Sequence, residues 1–129
     1  MPQWHGDQHK RKKTGGKRKI FSTKRAHEAG SDPSEALVGN PKSVIRGGMG
    51  GKNKIKLLSC NFANVTDPTT NTSKKIEITR VIKNQANADF QRRGVITKGA
   101  VIETPLGNAI VTSRPGQYGT INAILVKKS

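Results

Sequence analysis

A formal charge of +16, from 24 lysines and arginines against 8 acidic residues in 129 positions, constrains this chain more than any motif in it. Like charges repel one another in a compact state, so such an excess is tolerated where a polyanion supplies the missing negative charge. Phosphate is the commonest source, and nucleic acid is therefore the expected partner. A membrane surface is also anionic, but the longest purely apolar run is Ala123-Ile124-Leu125-Val126. That is far short of the roughly 20 residues of a span and of a signal-peptide core, so we expect a soluble, unexported protein with no membrane partner. Only 32% of the residues are hydrophobic and five are aromatic, which limits the chain to one modest domain with a small core plus extensions.

The charge is unevenly spread. Lys10, Arg11, Lys12, Lys13, Lys17, Arg18, Lys19, Lys24 and Arg25 fall within the first 25 residues, against the single acid Asp7. Apolar residues there are sparse and aperiodic up to about Gly39, too few to offset an ordering cost of about 1–2 kcal/mol per residue. Residues 1–39 are accordingly expected as a basic, extended tail that folds on RNA. One helical turn over Thr23–Ala29 could end at Gly30, and Gly15-Gly16 would let the backbone bend close to a phosphate chain.

From residue 40 to 129 the pattern changes to short β-branched runs separated by turn residues. Leu58, Cys60 and Phe62 alternate with polar residues, as do Ile76 and Ile78, giving a period of two. Strands are expected at Val44–Arg46, 58–62, 75–79, Val95–Glu103, Ala109–Ser113 and Thr120–Val126. Asp67-Pro68-Thr69-Thr70-Asn71 is turn chemistry. Pro105 with Gly107 suits a type I turn, and Arg114-Pro115-Gly116-Gln117 places Pro and Gly as a type II turn does. Asn87–Arg93 reads as a short helix. The fold class that follows is mainly β: a small six-stranded antiparallel β-barrel, closed to remove its edges, carrying a long basic N-terminal extension.

Runs of lysine are usually no more than a solvated face. In the first 25 residues, nine cations against one acid leave too little within the segment to pair them. In the β-region only four acids lie beyond Asn40, so one basic face is expected. Arginine grips phosphate with a planar fork, which ranks Arg46, Arg92, Arg93 and Arg114 above Lys52, Lys54 and Lys98 as positioned contacts to nucleic-acid phosphate. The loop Gly47-Gly48-Met49-Gly50-Gly51 fails the phosphate-loop spacing, because Arg46 and Asn53 stand where Gly and Ser or Thr are needed. It reads as a flexible connection near RNA. Trp4 and Tyr118 are candidate stacking rings for single-stranded bases.

Metal and catalytic chemistry find little support. His5 and His9 are four apart and Cys60 is a possible third ligand, but a zinc site of this kind draws on four clustered ligands, and Cys60 reads more simply as a small core residue. All three histidines fall in the tail, and no paired carboxylates suggest acid–base work. No catalytic residue, cofactor, metal or small-molecule substrate is expected.

Long segments resemble the small-subunit ribosomal protein family S8e. They are Arg11-Lys12-Lys13-Thr14-Gly15-Gly16, Arg46-Gly47-Gly48, Ala63-Asn64-Val65 with Asp67-Pro68, Arg92-Arg93-Gly94-Val95-Ile96-Thr97-Lys98-Gly99, and Val111-Thr112-Ser113-Arg114-Pro115-Gly116-Gln117. The resemblance implies a β-barrel body with an N-terminal extension threaded into small-subunit rRNA, neighbouring ribosomal proteins as further partners, a cytoplasmic ribosome-bound location, no cofactor and no catalysis. Eukaryotic members carry insertions that this chain lacks, which points to an archaeal source. The rivals are a free regulatory RNA-binding module, distinguished by not staying with the subunit, and a small nuclease, which would need titratable residues in a cleft.

Overall fold

β-Branched residues alternating with polar ones suit a half-buried pleated surface, and strands dominate the chain. The computed structural model describes residues 3–6, 10–19 and 22–127. These fall into two units, one within Met1–Pro33 and the other within Ser34–Ser129.

In the first unit, β1 (Gln3–Trp4) pairs antiparallel with β2 (Ala29–Gly30). A 3-10 turn covers Ala26–Glu28, and Arg11 bridges to Lys17. No described residue of this unit is fully buried. The expectation of a long, extended tail is thus corrected, because backbone pairing rather than a core gives the described segment form. The helical turn expected over Thr23–Ala29 is shorter and tighter. Gly30 does not cap it but pairs in β2, where a Cβ would fall 2.1 Å from His5 Nε2.

The second unit begins with a hairpin of its own, β3 (Lys42–Gly47) against β4 (Asn53–Ser59). It continues through β5 (Phe62–Asp67), β6 (Thr72–Glu77), β7 (Arg80–Lys83), helix α1 (Ala88–Arg93), β8 (Val101–Thr104), β9 (Gly107–Val111), the single helical turn α2 (Pro115–Tyr118) and β10 (Asn122–Leu125). Six of these strands form one sheet in the order β6-β5-β10-β9-β8-β7. The alternation read through Leu58, Cys60 and Phe62 does not belong to one strand. The chain bends between β4 and β5, and Cys60 sits in the core at the bend. Likewise Val95–Glu103 is not one strand, since Thr97 to Ala100 form a tight turn before β8.

The antiparallel barrel is corrected in two respects: β5 and β10 run parallel, and the sheet is not closed. Its edge strands β6 and β7 are joined by Ile78 and Thr79 alone. Three residue steps span at most about 10 Å, whereas a flat sheet would set its two edges about 24 Å apart. The sheet must therefore curl, but β6 and β7 follow one another in a single run and cannot fold back to pair. Ile78 donates its N–H to Asn61 O at 2.8 Å and Thr79 to Glu103 O at 2.9 Å, so the chain passes from one edge to the other and leaves a seam without a ladder. Both edges carry exposed cations, Lys74 and Lys75 on β6 and Arg80 and Lys83 on β7, a charge pattern that discourages edge-to-edge pairing.

The inner face of the sheet carries Ala63, Val65, Ile102, Ala109, Val111 and Ala123. In the ladder, Val65 and Val111 flank Ala123, and Ala109 faces Ile102, so small and large side chains alternate across strands. Leu57, Ile78, Ile96 and Ile121 complete this small core. Among the described residues, no helix is long and apolar enough to cross a membrane.

Candidate nucleic-acid interface

All nine cations of the first unit are described and exposed. Five of the residues between Arg11 and Lys17 make a tight turn. Gly15 N–H donates to Lys12 O at 3.0 Å, Lys12 N–H donates to Gly16 O at 3.1 Å, and Arg11 Nη1 reaches Gly15 O at 3.0 Å. Gly15 sits at φ +84°, which explains the glycine and puts Lys12 and Lys13 on a turned surface. The Lys24 ammonium lies 5.3 Å from the centre of the half-buried Trp4 ring, so that ring is already engaged by a cation. The second histidine of the sequence pair, His9, lies outside the described residues. Among those described, no group of three His, Cys, Asp or Glu side chains gathers as a metal site would.

In the second unit the structure brings some predicted residues together and separates others. Arg46 of β3 and Lys54 of β4 stand opposite one another in the ladder. Lys54 Nζ donates to Gln117 Oε1 of α2 at 2.9 Å, and Arg114 is the exposed N-cap of that same turn. Arg114-Pro115-Gly116-Gln117 is therefore a helical turn rather than the expected type II turn. Gly116 has no positive φ; a Cβ there would crowd the Ser34 hydroxyl. Gly119, at φ +73°, closes the turn. Lys52 ends the glycine loop, and Tyr118 is exposed. Lys98 lies elsewhere, in the Thr97-to-Ala100 turn that follows α1, with Gly99 at φ +88° behind it.

Ion pairing sorts the arginines in a way the sequence does not. Arg93 grips both oxygens of Glu35, and its Nε also meets Asp89 Oδ2 at 2.9 Å; Arg92 reaches the other oxygen of Asp89. Arg80 holds Glu103 at 2.6 Å. The hydrogen bond from Arg93 holds the Glu35 carboxyl below the usual carboxylate range, and the same bond raises the already high pKa of Arg93. No carboxylate of the described residues pairs with Arg46, Lys52, Lys54, Lys98 or Arg114.

One residue that sequence reasoning missed supports the Lys98 turn. Asn84 is buried; its Nδ2 donates to Val95 O at 2.9 Å, and its Oδ1 accepts from Ala86 N–H at 3.0 Å and Thr97 Oγ1 at 3.1 Å. It fixes the segment that leads from α1 into the Lys98 turn. The only advance signal was a polar residue followed by Ser-free turn chemistry, Asn84-Gln85-Ala86-Asn87, in which nothing marks Asn84 over Asn87. Asn87 caps α1 through Asp89 N–H at 2.9 Å.

Comparison with known proteins shows the family of the chain. The family model "Ribosomal protein S8e" matches residues 5–126. The chain is 51% identical over 126 residues to the small ribosomal subunit protein eS8 of Methanococcus aeolicus, covering 97% of this chain and 98% of the relative. It is 49% identical to the protein of the same name from Sulfurisphaera tokodaii, covering 92% and 93%, and 42% identical to that from Methanospirillum hungatei, covering 97% and 99%.

Proposed function

We propose that this chain, which belongs to the ribosomal protein S8e family, works as a structural constituent of the small ribosomal subunit by binding small-subunit rRNA through its first 39 residues and one basic surface of its β-unit. Its relatives are ribosomal proteins, and the chain is not an enzyme. The observation that carries the rRNA reading is the set of exposed cations with no acid beside them: Arg46, Lys52, Lys54, Lys98 and Arg114 on ordered turns and strands. Charges so placed cost free energy by mutual repulsion until a polyanion arrives. Phosphate contacts position a protein on RNA without reading bases, and the scarcity of aromatic rings fits recognition by backbone geometry.

The first 39 residues add nine exposed cations on a turned scaffold, and the product of binding is assembly and stability of the subunit. Further partners are neighbouring ribosomal proteins, and the setting is the cytoplasmic ribosome. Gradient sedimentation of lysate from the source organism tests this reading. Near-stoichiometric retention with the small subunit at moderate salt is expected; migration as free protein or with mixed RNAs would replace it with a regulatory RNA-binding module.

A further inference from the structure

We propose that the β3–β4 hairpin is a probe for the shallow groove of an RNA double helix: its basic face follows a phosphate strand and its tip sets Met49 against the riboses. This rests on the rRNA-binding reading above and names the element that would perform it.

Residues opposite one another in an antiparallel ladder share a face. Arg46 faces Lys54 and Val44 faces Lys56, while Ile45 faces Ile55 and Ser43 faces Leu57 on the other side. Like charges directly opposite destabilise a strand pair, yet Arg46 and Lys54 stand so, with no carboxylate of the described residues on either. An anion lying along that face removes the repulsion. Contacts with α2 and its cap anchor the second strand: Lys54 is tied to Gln117, and Ile55, on the opposite face, packs so closely on Gly119 that a Cβ there would fall 2.5 Å from Ile55 Cγ2.

Beyond this anchor the hairpin is exposed throughout β3 and the first three residues of β4. Its tip is narrow. Gly48 N–H closes on Lys52 O at 2.6 Å, Gly50 and Gly51 take φ +71° and +72°, and nothing lies within 4 Å of where their side chains would be. Apart from Lys52, the one side chain the tip presents is Met49, 84% exposed in a chain with few apolar residues to spare. The deep groove of A-form RNA is too narrow to admit a strand pair, whereas the wide, shallow one offers riboses and 2′-hydroxyls. Methionine is among the apolar side chains that proteins press into minor grooves.

Full-length Met49→Cys, tethered to an iron chelate that generates hydroxyl radicals, tests the placement on small-subunit rRNA; Cys60 is 3% exposed, and the unmodified chain measures its background. Cuts on both strands of one helix, offset toward their 3′ ends, are expected. Cuts confined to a single-stranded loop overturn the proposal, as does an absence of cuts while the variant still binds the rRNA as tightly as the native chain; either result leaves the rRNA reading intact. Failure of the native chain to bind small-subunit rRNA would sink both. As a second measurement, Arg46→Gln with Lys54→Gln, shown by a cooperative melt to be folded, should lower the slope of log affinity against log salt by about 1.4–1.8. An unchanged slope overturns the assignment.

Discussion

Replacing Asn84 should disturb the segment leading into the Lys98 turn by an amount its hydrogen bonds determine. Its side chain serves three partners, and one of them, the carbonyl of Val95, belongs to a residue that is 0% exposed. In Asn84→Ala that carbonyl has no route to water, which costs about 1–3 kcal/mol for a buried unsatisfied group. The Ala86 N–H and the Thr97 hydroxyl are nearer to solvent and recover part of their loss. A net destabilisation of about 2–3 kcal/mol follows, and for a domain near 100 residues this lowers the melting temperature by about 10–20 °C.

Asn84→Asp sharpens the test because it keeps the shape and the acceptor but loses the donor. At neutral pH its carboxylate would face the Val95 carbonyl in a buried site, so the variant should be worse than Asn84→Ala. Burial raises that carboxyl's pKa in the folded state. The penalty therefore shrinks as pH falls through the raised value, where the protonated acid can again donate. Circular-dichroism melts of native and variant chains at matched pH read both effects. An alanine variant within about 0.5 kcal/mol of native, or an aspartate variant with no pH dependence relative to native, would refute the assignment of the segment's order to Asn84.

The Glu35–Arg93 bond gives a pH signature of its own: because the folded carboxyl titrates below its ordinary range, the stability it contributes is present above that range and is lost as pH falls from there through the lowered folded value. Urea unfolding should show Glu35→Gln less stable than native at pH 7, with the two converging below the ordinary carboxylate range; a constant difference would contradict the pairing. Gly119→Ala and Gly50→Ala share a positive φ, so each should cost about 1–2 kcal/mol from the backbone alone, but Gly119→Ala also drives a methyl into Ile55 and should cost about 1–3 kcal/mol more; equal losses in thermal melts would argue against that contact. Deleting Met1–Pro33 should leave a cooperative melt, since every buried core residue among those described lies at Ala36 or beyond, while rRNA affinity and its salt slope both fall; an unfolded truncation would show that the second unit does not stand alone.

The strands that could be read in advance were those whose alternation is local. Ile76 and Val111 lie on expected strands, and the Asp67 turn forms as its residues dictate: the Asp67 carboxylate accepts from Thr69 Oγ1 at 2.6 Å and from Thr69 N–H at 2.9 Å, and Asn71 takes φ +54°. The Thr69 hydroxyl and N–H hold that carboxyl below its ordinary range. Strand β7 escaped notice because Arg80-Val81-Ile82-Lys83 is too short for a period to show. Barrel closure was an argument about edges in general, and it could not see that two edge strands would be consecutive in the chain. The parallel pairing of β5 with β10 joins residues such as Val65 and Ala123, a separation that no local pattern encodes. The family resemblance was legible because long runs of residues carry it, and its match extends over residues 5–126.

Which cations are already paired with acids was the least legible feature, because pairing is decided by acids distant in sequence. Arg93 lies 58 positions from Glu35, and nothing around either residue announces the other. Two double variants separate charge from availability. Arg46→Gln with Arg114→Gln and Arg92→Gln with Arg93→Gln each remove two positive charges, so they alter the net charge of the chain equally. The salt slope counts phosphates whose counterions are released, not net charge. The first pair has no acid of the described residues beside it and should lower the slope by about 1.4–1.8 if each arginine meets one phosphate. The second pair is already engaged by Glu35 and Asp89, so its loss should change the slope less while weakening the fold that those bonds hold together. Filter binding across a salt series, beside thermal melts of the same proteins, measures both quantities. Equal slope changes for the two variants would mean that the carboxylates yield to RNA on binding, and the sorting of contacts by ion pairing would then fail.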